Sequence, residues 1–542
     1  MRPAPRALIV FALAGCAHRG PAGPVSATIL AINDFHGYLQ APSDGVHTPD
    51  GEVQAGGAAV LAAHLAFVKA AQPNTVVVAA GDLIGASPLM SALFHDEPTI
   101  EAMNLMGLDI LGVGNHEFDE GLNELLRMKQ GGCHPVDGCR GSQPFEGARF
   151  EFLAANVRRA QEKETIFPPY SIREMGGVPV AFIGLTLEDT PGVTPPTVAD
   201  LAFADEADSV NALVPELLAK EVRAIVVVLH EGGLPKGNYD QCEGMSGPLL
   251  PILERLHPEV DVVVTGHTHQ AYNCRIGGRV VTSAGCYGRL YTQIDLRLDP
   301  ATHQVLSAEA HNHIVTQDRP GEPPVEALVD RYQLLAAPIA NRVVGHIKAE
   351  INKRPNLAGE SALGNLIADA QLEATAAPEN GGAVLAFMNS GGIRTGLDFT
   401  KSGEESEDGL VTYGELFAVQ PFGNTVVTLT LTGDQLLQFL ENQWEGGSAP
   451  RFSQVSHTLR YRWDPEAPDG QHVEVASVQI AGQPLDRKAK YRIAVNSFMA
   501  QRGVLAAGED LRNGPPDIEA FEAYLKRHSP LVPPTLERIQ RR

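Results

Sequence analysis

Apolar runs rich in Val and Ile recur through the first half of the chain, separated by more polar stretches. Residues 28–32, 75–79, 110–113, 224–229 and 260–264 are short runs of this kind. β-Branched runs of that length predict buried strands. Residues 56–71 and 99–106 carry helix-like patterns instead. Strands alternating with helices predict an α/β layered domain. Beyond them, 317–324 is Pro-rich and reads as a linker, followed by a helical stretch over 325–337.

Each apolar run ends in side chains with ligand chemistry. Asn33, Asp34, Phe35 and His36 follow the first run, and Gly81 and Asp82 the second. Gly114, Asn115, His116, Glu117, Phe118 and Asp119 follow the third; His230 follows the fourth; Gly266, His267, Thr268 and His269 follow the fifth. Open α/β sheets place their sites at the carboxyl ends of strands. The period of two lets Asp34 with His36, and His267 with His269, reach the same edge. A single His or Asp at a strand end reads as a cap or a surface residue, but the whole series points to metal. Mixed Asp, Asn and His donors suit zinc, manganese or cobalt. Asp34, His36, Asp82, Asn115, His230, His267 and His269 are too many for one tetrahedral ion. Two divalent metal ions sharing a carboxylate would use them all, lower the pKa of a bridging water and clamp phosphoryl oxygens.

His116 and Asp119 form a separate pair at i, i+3. The carboxylate can orient and charge the imidazole, which then stabilises phosphoryl oxygens and helps the leaving oxygen depart. The alternative is that Asp119 caps a helix starting near Glu120.

Composition narrows the class. The 542 residues are 44% hydrophobic and 20% charged, which suits several folded domains rather than disorder. With 42 Lys+Arg against 65 Asp+Glu, the net charge is -23. That argues against a nucleic-acid partner, because neutralising phosphates needs surplus cations. A phosphate site here must carry its positive charge locally, as metal ions or a few arginines.

The start of the chain reads as an address. Arg2 and Arg6 precede an apolar run, 7–14, too short to span a bilayer. Leu13, Ala14, Gly15 and Cys16 resemble a bacterial lipobox. This predicts an exported lipoprotein, periplasmic or cell-surface, whose only membrane contact is a lipidated Cys16. Ala17 after the Cys favours the outer membrane. Of the other cysteines, Cys133 with Cys139 and Cys242 with Cys274 are the expected pairs and Cys286 the free thiol, although spacing alone leaves the pairing open. The basic end, 538–542, reads as a frayed tail.

These motifs, with Gly37, resemble the calcineurin-like metallophosphoesterases, and more narrowly the bacterial 5'-nucleotidase / UDP-sugar hydrolase family. The second half extends the resemblance. Gly364, Asn365 and Leu366, then Asn389, Ser390, Gly391, Gly392, Ile393 and Arg394, look like parts of that family's C-terminal substrate-binding domain. So do Gln420, Pro421, Phe422, Gly423 and Asn424, and finally Asn496, Ser497 and Phe498. The implied architecture is a four-layer α/β/β/α metallophosphoesterase sandwich followed by a second α/β domain. Its implied parts are a signal and tether (1–24), a metallophosphoesterase domain (25–318), a linker helix (319–340) and a substrate-binding domain (341–542).

The resemblance also implies roles. One metal would be held by Asp34, His36, Asp82 and His269, the other by Asp82, Asn115, His230 and His267, with Asp82 bridging. His116 and Asp119 would be the catalytic dyad. Asn389 and Arg394 would contact the substrate phosphate and its neighbours, and Phe422 and Phe498 would sandwich the base. The implied activity is hydrolysis of nucleoside 5'-phosphates by attack of a metal-bound hydroxide. A nucleotide or cyclic phosphodiesterase, a UDP-sugar hydrolase and a non-catalytic surface binding protein are the alternatives. Two positions depart from the family pattern. Where the family carries an Asp that grips the ribose hydroxyls, this chain has Val504, and Arg502 places a cation nearby. An Arg expected shortly before Gly364 is missing, with Arg354 slightly upstream.

Overall fold

The first apolar run folds as β1 (Val25–Ile32) and pairs in parallel with β2 (Thr75–Ala80). β3 (Ile110–Gly112) and β4 (Glu151–Leu153) extend the same parallel ladder. A second sheet is built from β5 (Tyr170–Met175), β6 (Val178–Leu185), β7 (Ala224–Leu229), β8 (Val262–Thr265), β9 (Ala271–Ile276) and β10 (Arg279–Ala284). Its order is β9-β10-β8-β7-β6-β5. The chain then returns to the first sheet with β11 (Leu290–Leu298) and β12 (Val305–Ile314), giving β12-β11-β1-β2-β3-β4. The computed structural model describes residues 23–542 apart from 43, 142–144, 195, 402–405 and 445–449, so Cys16 and its apolar run lie outside the described residues.

The period of two decides the layers. Ile29 and Ala31 of β1 face the second sheet and pack in one cluster with Val180, Val226 and Val264. Leu30 and Ile32 face the other way, onto helices Ala58–Ala71, Glu97–Met106 and Leu122–Gln130. The outer face of the second sheet is covered by helices Glu206–Ala219 and Leu249–Arg255. The result is the expected α/β/β/α sandwich. Strands buried on both faces explain the unbroken Val and Ile runs.

The linker helix spans Pro323–Ala340, with Pro323 and Pro324 at its first positions, where the missing N–H costs nothing. Its Val325, Leu328, Tyr332 and Ala336 are buried in the first domain's core. The second domain holds a sheet of β13 (Leu385–Asn389), β14 (Thr425–Thr432), β15 (Ser453–Val455), β16 (Lys490–Asn496) and β17 (Glu509–Pro516), ordered β15-β13-β16-β14-β17. Helices Ala362–Thr375 and Asp517–His528 pack together beside it.

One expectation is corrected here. The C-terminus is not a frayed tail: Ile539–Arg541 is a strand parallel to Leu459–Trp463. Ile539 is buried, and Arg538 beside it is 8% exposed and ion-paired to Asp369 at 2.7 Å. Cys133–Cys139 and Cys242–Cys274 are bonded, and Cys286 is free and buried.

Candidate active site

The carboxyl ends of β1, β2, β3, β7 and β8 meet at one edge of the sandwich. Backbone bonds from Asp34 N to Gly81 O and from His36 N to Asp82 O stitch the first two ends together. Asp34, His36, Asp82, His267 and His269 all adopt left-handed backbone, with φ of 48°, 48°, 51°, 69° and 55°. Such strain costs about 1–3 kcal/mol per residue and collects where surrounding structure over-determines it. Two glycines allow the close approach. A Cβ on Gly81 would lie 2.3 Å from His230 Nδ1, and one on Gly114 2.3 Å from Asp82 Oδ1.

All seven predicted metal ligands are brought together here, in two groups of three with Asn115 against the second. Asp34, His36 and His269 offer ligating atoms within 4.8 Å of one another, as do Asp82, His230 and His267. His36 Nε2 stands 3.1 Å from His269 Nε2 and 3.7 Å from Asp82 Oδ2. His230 Nε2 is 3.0 Å from Asp82 Oδ2, and Asn115 Oδ1 is 3.0 Å from both His230 Nε2 and His267 Nδ1. The Nδ1–H groups of His36 and His230 donate to Gly85 O (2.8 Å) and Ala80 O (2.7 Å). Those carbonyls orient the two rings with Nε2 facing inward, the arrangement of metal-ligating histidines.

The electrostatics agree. Burial pushes Asp34 up to about 7, while burial and His230 push His267 down to about 3. Burial alone would raise Asp82, but His230 and His116 hold it well below the carboxylate range. Burial would likewise depress His230, but Asp82 and Asp34 push it up to about 10. The inward-facing ring nitrogens and two buried carboxylates form a donor set that divalent cations fit.

His116 Nδ1 lies 2.7 Å from Asp119 Oδ2. Burial would depress His116, but Asp119 and Asp82 raise it. The next helix starts at Leu122 behind Gly121, with no side-chain cap, so Asp119 does not serve as one.

The second domain reaches the same place. Arg394 Nη2 stands 3.4 Å from His36 Nε2, and its guanidinium lies 5.7 Å from the Phe422 ring. The Phe422 ring is in turn 5.9 Å from that of His116, with planes 30° apart. Asn389 instead accepts a hydrogen bond from Asn496 Nδ2 at 2.8 Å. Phe498 lines a cavity of about 410 Å³ with Thr194, Asn424 and Arg502. Ser497 Oγ and Asn424 Oδ1, 2.9 Å apart, join the loops carrying the two aromatic rings.

Several residues escaped the sequence reading. Glu117 accepts from three backbone amides: Asp82 N at 2.9 Å, Leu83 N at 2.7 Å and Gly114 N at 2.7 Å. It was visible only as one letter of its motif. Asn33 donates to Asp34 Oδ2 at 2.6 Å and accepts from Ala284 N at 2.7 Å. Tyr38 and Tyr287 stack at 4.0 Å and line a second cavity, about 390 Å³, with His269 and Arg394. Lys353, rather than Arg354, lines that cavity and donates to Arg394 O at 2.7 Å.

A four-layer sandwich with His and Asp donors at its strand ends defines a metallophosphoesterase type of domain. Residues 27–271 match the calcineurin-like phosphoesterase family, and residues 343–507 the 5'-nucleotidase C-terminal domain. The chain belongs to the 5'-nucleotidase family of calcineurin-like phosphoesterases, whose members are metal-dependent phosphoester hydrolases. It is 33% identical over 519 residues to Endonuclease YhcR of Bacillus subtilis, across 93% of this chain and only 40% of that protein. It is 30% identical over 547 residues to cell wall protein Lmo0130 of Listeria monocytogenes, across 94% of this chain and 68% of that one. The solved 5'-nucleotidase precursor of Thermus thermophilus matches with a TM-score of 0.77 and 28% identity, covering 95% of this chain and 99% of that one.

Proposed function

We propose that this protein hydrolyses nucleoside 5'-phosphates with two divalent cations. Asp34, His36, Asp82 and His269 hold one, and Asp82, Asn115, His230 and His267 the other. The observation that carries the reading is Arg394 and Phe422 of the second domain standing against His36 and His116 of the first. A guanidinium and an aromatic face beside a cluster of metal donors suit a phosphate joined to a base. When bound, such cations supply Lewis acidity toward phosphoryl oxygens and lower the pKa of water.

The chain's own residues do the rest. Arg394 holds the phosphate with its planar donors. Phe422 offers its ring to the base. Asp119 accepts a hydrogen bond from the Nδ1–H of His116, so Nε2 of the charged imidazole faces the substrate. As a water oxygen bonds to phosphorus and the bond from phosphorus to the 5'-oxygen breaks, His116 gives its Nε2 proton to that oxygen; the proton shed by the attacking water goes to solvent, and His116 is recharged from solvent. Glu117 holds the backbone that carries Asp82.

Export and lipid anchoring at Cys16 belong to the same reading, supported by two disulfides that suit an oxidising compartment. Cys16→Ser is expected to release the protein from membranes; continued membrane association overturns that part. For the chemistry, the test is a panel of AMP, 3'-AMP, a cyclic nucleotide and UDP-glucose. AMP should be the best substrate, EDTA should abolish phosphate release, and zinc, manganese or cobalt should restore it. Full activity in chelator, with no bound metal by elemental analysis, overturns the reading.

A further inference from the structure

The cavity at Phe498 lies between the domains and contains a cation that nothing above uses. Arg502 is half-buried, and its guanidinium sits 3.9 Å over the Phe498 ring. One of its five N–H groups donates to Thr194 O of the first domain at 3.1 Å. It forms no ion pair among the described residues. Burial depresses its pKa, and the charge of Asp189 acts against that. The other polar groups of the cavity, on Asn424, Ser497 and Gln501, are neutral. Val504, just beyond the wall, adds no carboxylate. A partly desolvated guanidinium without a counter-ion awaits an anion from the ligand.

The proposed function limits what that anion can be, and the inference rests on that reading. The scissile phosphate belongs at the other end, with Arg394 and His36. A base is uncharged near neutral pH. Further phosphates of a 5'-polyphosphate chain continue from the scissile one and stay at the Arg394 end. Only a phosphate on the ribose remains for the Phe498 end. We infer that Arg502 is a specificity-determining residue that recognises a second phosphate on the ribose. The preferred substrate class is then a nucleoside 5'-phosphate that also carries a 2'- or 3'-phosphate, free or as a diester.

The test compares kcat/KM for removal of the 5'-phosphate from AMP, adenosine 3',5'-bisphosphate, adenosine 2',5'-bisphosphate and 5'-phosphorylated ApA, with products separated by chromatography. The two bisphosphates report a free monoester and the dinucleotide a diester. At least one should exceed AMP by roughly 10–100-fold, the scale of a hydrogen bond to a charged group. Arg502→Gln should bring that ratio close to one, and Arg502→Lys should retain most of it. A wild-type ratio near one, or a ratio unchanged in Arg502→Gln, overturns the inference. Calorimetric binding of adenosine 3'-phosphate and adenosine 2'-phosphate against adenosine by the full wild-type chain needs no variant and no turnover. At least tenfold tighter binding of one of the phosphates supports the subsite, and equal binding of all three overturns it. Failure of the broader reading looks different: no 5'-phosphate is released from any of the four substrates, whatever residue 502 is.

Discussion

His116 Nδ1 and Asp119 Oδ2 stand 2.7 Å apart, and that contact decides which ring nitrogen is left for the substrate. His116→Asn is expected to lower kcat by roughly 10²–10⁴-fold, the usual scale for general acid–base catalysis. Metal content by elemental analysis should not change. Unaffected turnover would remove His116 from the chemistry.

Phe422→Ala should raise KM for AMP and leave a small aryl phosphate almost untouched. Stacking on a base is worth about 1–3 kcal/mol in nucleic-acid binders, and the aryl substrate has no base to stack. Equal effects on both substrates would mean that Phe422 acts on the catalytic pair instead.

Glu117→Gln tests the three-amide anchor. A carboxylate accepts from Asp82, Leu83 and Gly114 at once, whereas a glutamine amide turns its NH2 toward donors. An unsatisfied buried donor costs about 1–3 kcal/mol, so the melting temperature should fall. Zinc retention through dialysis should weaken by roughly 10–100-fold, as for other residues that support metal ligands indirectly. Wild-type values for both would show that the anchor is dispensable.

His95 gives a pH signature remote from the strand-end donors. Its hydrogen bond to Glu120, with a further one to Asp137, pushes it from 6.5 up to about 9. A histidine raised on folding stabilises the protein fully below its unfolded value, and that contribution fades as pH climbs through the folded one. The melting temperature should therefore carry a His95-dependent loss between pH 6.5 and about 9. The same scan on His95→Gln isolates it: a difference between the two proteins that stays constant with pH would refute the assignment.

Much of the site could be read from the chain because strand geometry turns a local pattern into a location. Apolar runs ending in Asp34, Asp82, Asn115, His230 and His267 name their own edge once the strands are parallel. What could not be read depends on distant pairing. Strands Leu290–Leu298 and Val305–Ile314 rejoin the first sheet, and alternation identifies a strand without naming its partner. Arg394 meets His36 across 358 positions only because the two domains dock. Arg538 looked like surface charge because its partner, Asp369, lies 169 positions away.

The helix expected over 325–337 runs Pro323–Ala340, and its Val325, Leu328, Tyr332 and Ala336 are sunk in the first domain's core. It is therefore a rigid arm of that domain, and the Pro-rich residues before it cannot act as a pivot. Any swing of the second domain has to turn just beyond Ala340, where Asn341 ends the helix and Tyr413 N donates to Arg342 O at 2.8 Å. Residues around that elbow join the arm to the domain that sets Arg394 and Phe422 against His36 and His116.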